Sequence, residues 1–180
     1  MTNPPPGKIL AAVAEDCALV RVEGRGDFKL APSFRQATKT ALSAAVPFLV
    51  VDMADCTTLD STFMGAIAAV GLATRPPAPT RAVFLNLAPS TRALLKGLGV
   101  DRIVRIIAPD ALPPGLGDLS GLAADLRPVE SGPATQRETA AMMYDAHETL
   151  TRVHPDNLRK FKDVLAFLKA EAAPPSPPSP

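Results

Sequence analysis

Ser61 stands where this sequence concentrates its chemistry. It lies between Asp60 and Thr62, directly before an apolar-periodic run, which is where helix caps belong. A hydroxyl there is close to unpaired backbone N–H groups and to the positive end of a helix dipole. It therefore has two uses. It can cap the helix, or it can carry a phosphate, because the same geometry stabilises an anion. Asp52, Asp55 and Asp60 gather around the same loop. Such acids hold Mg²⁺ if they converge, and are solvated turn acids plus a cap if they do not. Asp52 ends a strand and Asp60 belongs to the capping region, which favours the second.

Other chemistries find less support. The only histidines are His147 and His154, near the C-terminal end, with no cysteine or carboxylate placed as a third metal ligand. A Ser-His-acid triad would have to form across the fold, and no Gly-x-Ser-x-Gly elbow marks Ser61 as its nucleophile. No phosphate-binding loop and no Gly-x-Gly-x-x-Gly follows a strand, so nucleotide enzymes lose their usual signature. Cys17 and Cys56 have no metal spacing. No metal or cofactor is expected, and the chain reads as a non-enzyme.

The elements that must position Ser61 follow from hydropathy. Residues 9–14 are a short apolar run, Glu15 and Asp16 make a turn, and residues 17–23 alternate, with Val20 and Val22 on one face and Leu19, Arg21 and Glu23 on a half-exposed other. Arg25-Gly26-Asp27 reads as a turn closing that strand rather than an adhesion sequence. Residues 33–45 place Phe34, Ala37, Ala41, Leu42 and Ala45 at helical spacing, and the helix ends near Pro47. Residues 48–53 are almost continuously apolar, as in a strand covered on both faces. Residues 54–60 are too polar and too short for another element.

Residues 62–74 form the second helix. Met64, Ile67, Ala68, Gly71 and Leu72 make one apolar stripe; Phe63, Ala66 and Val70 make another. A helix apolar on two sides needs two covers. One is the sheet; the other is either a partner protein or the chain's own C-terminal segment. A strand over 82–87, a helix from Pro89 with a C-cap at Gly99, and a strand over 103–107 complete the order β-β-α-β-α-β-α-β. That alternation implies a small mixed, mostly parallel sheet packed with helices, an α/β fold. A capping box at Thr135 to Glu138 opens a helix burying Met143, Ala146, Leu150 and Val153. A second helix, with Phe161, Val164, Leu165 and Leu168, makes this a C-terminal helical hairpin.

Bulk properties set the remaining bounds. The hydrophobic fraction is 47% and the formal net charge +1, so there is a core but no electrostatic footprint for nucleic acid or an anionic membrane. No apolar run approaches the roughly 18 residues that cross a bilayer, so membrane insertion is not expected. No leader marks secretion, and a cytoplasmic location is the default. The 20 prolines cluster. The expected organisation is a Pro-rich tail over 1–7, a domain over 8–108, a Pro/Gly-rich linker or irregular wrap over 109–133, the hairpin over 134–172 and a Pro-rich tail over 173–180.

At this point the chain resembles the STAS family, typified by bacterial anti-sigma factor antagonists, over roughly residues 8–107. Leu49-Val-Val-Asp-Met53, seven residues and then Ser61 resemble the family's strand, loop and phosphorylatable serine. Asp60-Ser61-Thr62-Phe63-Met64-Gly65 resembles its Asp-Ser-Ser/Thr-Gly-Leu-Gly signature. Val22-Glu-Gly-Arg-Gly-Asp27 resembles its Leu-x-Gly-x-Leu-Asp turn, and residues 85–103, from Leu85 to Ile103, resemble its Asn…Leu-x-x-x-Gly-Leu-x-x-Ile ending.

The resemblance implies a STAS-like fold and a phosphoprotein of signal transduction and transcription regulation. In the antagonist branch a serine kinase, itself the anti-sigma factor, phosphorylates the serine, and the unphosphorylated form binds that partner. Matched residue by residue, Ser61 is the modified position and Thr62 the neighbouring candidate. Asp27 and Asp60 are the acids of the partner surface, which Phe63, Met64 and Ala66 extend along the helix. Phe63 replaces the family's first glycine, either narrowing that surface or adding an apolar anchor to it. The hairpin lies outside the family pattern. It either covers the Phe63 stripe of its own core or pairs two copies of the chain. A second reading is a STAS interaction subunit that is not phosphorylated, in a signalling scaffold or a lipid transport complex.

Overall fold

The computed structural model describes residues 6–108, 110–116 and 119–174. Most of both expected Pro-rich tails, residues 1–5 and 175–180, lies outside these.

The first two strands, β1 (Lys8–Val13) and β2 (Cys17–Gly26), pair antiparallel, and the Ala14 amide donates to the Cys17 carbonyl to close the turn. Helix α1 (Ala31–Ser43) follows, with Pro32 in its first turn, where a missing N–H costs nothing. Strand β3 (Phe48–Asp52) is buried at every position. It lies parallel between β2 and β5 (Arg81–Leu85), and β6 (Arg105–Ile106) extends the parallel set beyond β5. Helix α2 (Ser61–Ala73) lies between β3 and β5 in the chain, and α3 (Pro89–Gly97) precedes the 3₁₀ turn Val100–Arg102. Gly99 takes a left-handed φ of +72° between them, where a C-terminal glycine belongs.

One segment departs from the sequence expectation, and a second decides between two readings. Residues 54–60 contain a further strand, β4 (Cys56–Leu59), parallel to the far end of β2. Its origin is geometric. β2 is 10 residues long and pairs β3 only from Cys17 to Arg21, which leaves the ladder edge at Gly24–Gly26 free. Of the two expectations for 109–133, a linker or an irregular wrap, the described part fits the wrap. That part carries the short helix α4 (Leu119–Ala124) and strand β7 (Arg127–Pro128), which joins the sheet antiparallel to β1. The sheet order is β6-β5-β3-β2-β1-β7, with β4 on β2.

This explains why β3 is apolar throughout. Leu49 and Val51 point to one face, into a cluster with Val20, Val22, Phe34, Phe63, Ile67 and Phe84 under the helices. Phe48 and Val50 point to the other, with Cys17, Leu19, Val83 and Leu85, and this face is covered by Leu116, Leu119, Leu122 and Leu126. Leu19, expected on a half-exposed face, is 3% exposed for that reason.

Two C-terminal helices complete the α/β fold: α5 (Gln136–Val153), opened by the expected capping box at Thr135 and Glu138, and α6 (Asp156–Ala172). Helix α5 packs against both α6 and α2. The second cover of α2 is thus the chain's own C-terminal segment. No described helix is long and apolar enough to cross a membrane.

Phe63 belongs to the core. It is fully buried, with its ring 4.9 Å from that of Phe34 on α1. We predict that Phe63→Ala lowers stability by about 3–5 kcal/mol, the range for emptying a buried aromatic site. Urea unfolding with an unchanged m-value would measure it; a loss below about 1 kcal/mol would mean that the ring is not a core residue.

Candidate functional site

Asp60 is the N-cap of α2, and Ser61 is the first residue of the helix. One Asp60 carboxylate oxygen accepts from the Phe63 amide at 2.8 Å, and the other accepts from the Phe28 amide at 2.8 Å. The cap is therefore the acid, not the serine. The same carboxylate ties the turn after β2 to the start of α2. Asp27 holds that turn from within, its Oδ1 accepting from the Lys29 and Leu30 amides at 3.0 and 3.2 Å and its carbonyl from Leu30 and Ala31. Asp27, Asp60 and Ser61 are each half-buried, and Phe28 beside them is 37% exposed.

Relieved of capping, the Ser61 hydroxyl turns to α5. Its Oγ lies 2.9 Å from His147 Nε2, while His147 Nδ1 lies 2.7 Å from the Met143 carbonyl oxygen. A carbonyl only accepts, so Nδ1 donates; in the neutral ring Nε2 then accepts from the Ser61 hydroxyl. The imidazole is 3% exposed and meets Phe161 edge-on at 4.9 Å between ring centres. The fold thus makes a Ser–His pair from residues far apart in sequence, oriented by a backbone carbonyl rather than by an acid. Sequence reasoning missed Phe28, and it set His147 aside because no elbow motif marked Ser61 as its partner. Nothing local to either marks it, because both depend on contacts across the fold.

The remaining candidates separate. Thr62, 2% exposed, is sealed and does not share the surface of Ser61. Phe63 fills the core, Ala66 on the same stripe is 3% exposed and Met64 on the other stripe is 6% exposed, so none of them offers a free apolar anchor. α5 lies on the Ser61–Gly65 side of α2, where a Cβ on Gly65 would overlap the carbonyl oxygen of Ala146 and sit 2.7 Å from its carbonyl carbon. The acids do not converge. Asp52 accepts from Arg21 Nε at 3.0 Å, from Asn86 Nδ2 at 2.8 Å and from the Ala54 amide, while Asp55 is exposed. Among the described residues no group of three His, Cys, Asp or Glu side chains could hold a metal ion. Burial, with the nearby Asp16 charge adding to it, pushes the Cys17 thiol up to about 11, and burial raises Cys56, so neither offers a thiolate at neutral pH. A groove of about 690 Å³ runs between α1 and α2, lined by Arg35, Lys39, Ala66, Ala69 and Val70 and away from Ser61.

No family model and no curated protein matches the chain. Among solved structures, an anti-sigma factor antagonist from Mycobacterium paratuberculosis superposes with a TM-score of 0.50 and 22% sequence identity, over 68% of this chain and 99% of that one. The Bacillus cell fate determinant SpoIIAA in its phosphorylated form gives a TM-score of 0.44 and 19% identity, over 56% of this chain and 91% of that one. The anti-sigma factor antagonist SpoIIAA in its unphosphorylated form gives 0.41 and 18%, over 54% and 84%. The first of these establishes the fold: this chain is STAS-like, with additional segments that have no counterpart in that antagonist.

Asp60→Ala removes the cap and the tie to Phe28 together. We predict a loss of about 1–2 kcal/mol, with Asp60→Asn retaining most of the cap. Chemical denaturation measures the loss, and amide exchange at Phe63 and Phe28 should speed up together; acceleration at Phe63 alone would show that the two ends are not tied.

Proposed function

We propose that this chain is a non-catalytic regulatory module of the anti-sigma factor antagonist kind, which binds a signalling partner and is switched by phosphorylation of Ser61. The supporting observation is the division of labour at the start of α2. Asp60 caps the helix, so the half-buried Ser61 hydroxyl has no capping duty and meets His147 instead. A phosphoryl group there brings about −1.5 to −2 charge. The helix N-terminus tolerates it locally, while Asp60 and Asp27 on the same surface add like-charge repulsion toward an incoming partner. The product is a folded domain that no longer docks, as a reversible switch requires. The partner in this reading is a serine kinase that doubles as an anti-sigma factor, or a similar signalling protein. The partner surface includes Asp27 and Asp60, and the setting is the cytoplasm.

The Ser61–His147 hydrogen bond favours a second reading, because it engages the hydroxyl that a kinase would need. Here the chain is an unphosphorylated interaction subunit of a signalling scaffold or lipid transport complex, and Ser61 is a packing contact.

One experiment separates the two. Incubation with a kinase and ATP, followed by mass spectrometry, should place one phosphate on Ser61 and none on Thr62. In a pull-down with that kinase, Ser61→Ala should hold the partner and Ser61→Asp should weaken it about tenfold or more, the order expected for an unpaired charge at an interface. An unlabelled Ser61 with equal retention of wild type and Ser61→Asp would overturn the phosphorylation switch and leave the second reading.

A further inference from the structure

We infer that the α5–α6 hairpin is a detachable cover on the Ser61 face of α2, held shut at the Ser61–His147 hydrogen bond and released by a phosphoryl group on Ser61. The inference rests on Ser61 as the modified residue. It adds that the docking surface already has an occupant, a segment of this same chain, which any partner helix must displace.

The seam between α2 and α5 is closest where two small residues meet. Gly65, one turn beyond Ser61, faces the Ala146 backbone with no room for a methyl group. Beyond that close contact, Leu150 of α5 is fully buried in the same cluster as Phe63 and Ile67, and Met142, Val153 and Phe161 pack against it, so the hairpin hides apolar surface as well. Polar links hold the hairpin at its margins. Asn157 Nδ2 donates to the Leu98 carbonyl at 2.9 Å, Lys160 Nζ donates to the Gly97 carbonyl at 2.8 Å, and Arg35 Nη2 lies 3.7 Å from the Asp145 carboxylate. These lie at the hairpin turn and at α1. The contact that reports on the state of Ser61 is His147.

Phosphorylation changes that contact in kind. Transfer of the γ-phosphoryl group of ATP forms the Oγ–P bond, breaks the bond from that phosphorus to the β-bridging oxygen, and releases ADP; the hydroxyl proton leaves to solvent. Oγ then has no hydrogen to donate, and the Nε2 lone pair faces an ester oxygen. The three added oxygens need space and water beside an imidazole that is 3% exposed, next to a seam that admits no methyl group. The docked hairpin and the phosphate exclude each other on both counts. Once the hairpin leaves, the apolar residues it covered on α2 are open to a partner.

The test needs neither kinase nor partner. Phosphoserine is installed genetically at position 61 of the full chain, and backbone hydrogen exchange is read over α5, α6, β3 and β5. Exchange in α5 and α6 should accelerate about tenfold or more, with β3 and β5 unchanged, as expected for local opening of one unit. Gly65→Ala should give the same pattern without any charge. Alanine is the better helix former, so the loss could not come from unravelling α2. Unchanged or slower hairpin exchange with phosphoserine would overturn the inference, since it would mean that His147 holds the phosphate in place. Equal acceleration of β3 and β5 in Gly65→Ala would also overturn it, by making the hairpin part of the indivisible core. The proposed function fails separately: a partner pull-down insensitive to Ser61→Asp would sink it while leaving hairpin release intact, and a sensitive pull-down with a motionless hairpin would do the reverse.

Discussion

Asp60 governs the site through one carboxylate with two partners. Its Oδ1 satisfies the Phe63 amide, one of the donors that every helix start leaves orphaned, and its Oδ2 satisfies the Phe28 amide in a turn more than 30 residues earlier. The first bond fixes where α2 begins. The second fixes how the β2–α1 turn stands against it. Because the acid takes the capping role, the neighbouring hydroxyl has no backbone duty and its geometry is set from outside the helix. The position of Ser61, the exposure of Phe28 and the half-burial of Asp27 all follow from this arrangement.

A second constraint comes from sheet coverage. β3 is apolar on both sides because both faces of the sheet are covered, by α1 and α2 on one and by Leu116, Leu119, Leu122 and Leu126 on the other. With the sheet enclosed, α2 must show its remaining face outward, and α5 takes it. The hairpin is therefore a consequence of layering as much as an appendage. The helix that carries the candidate site is also the helix with the most apolar surface to hide.

Much of the architecture was legible in residues. The alternation of Val20 and Val22, the unbroken run of β3, the periodicity of α1 and α2 and the Thr135–Glu138 box all report local physics, and each element stands where that physics puts it. What was not legible depended on contacts between distant segments. β4 exists because β2 overruns β3 and leaves a ladder edge, and no property of residues 56–59 alone announces that. Residues 109–133 read as a linker or an irregular wrap because proline and glycine dominate, and only the uncovered sheet face that Leu116, Leu119, Leu122 and Leu126 find decides for the wrap. Phe63 reads as an anchor on its helical stripe, but only the position of Phe34 decides that the stripe faces inward. The Ser61–His147 pair spans 86 residues, and its sequence signal is nil.

The margins of the sheet carry a last consequence. At one end β6 contributes Arg105–Ile106, and at the other β7 contributes Arg127–Pro128, whose proline has no N–H to offer. Each rim thus presents a ladder only two residues long. The two terminal strands themselves therefore give a second extended chain almost no ladder to join, and strand-to-strand growth through them is starved; the open ladder lies inward of them, on β4 and on the part of β1 that β7 does not reach.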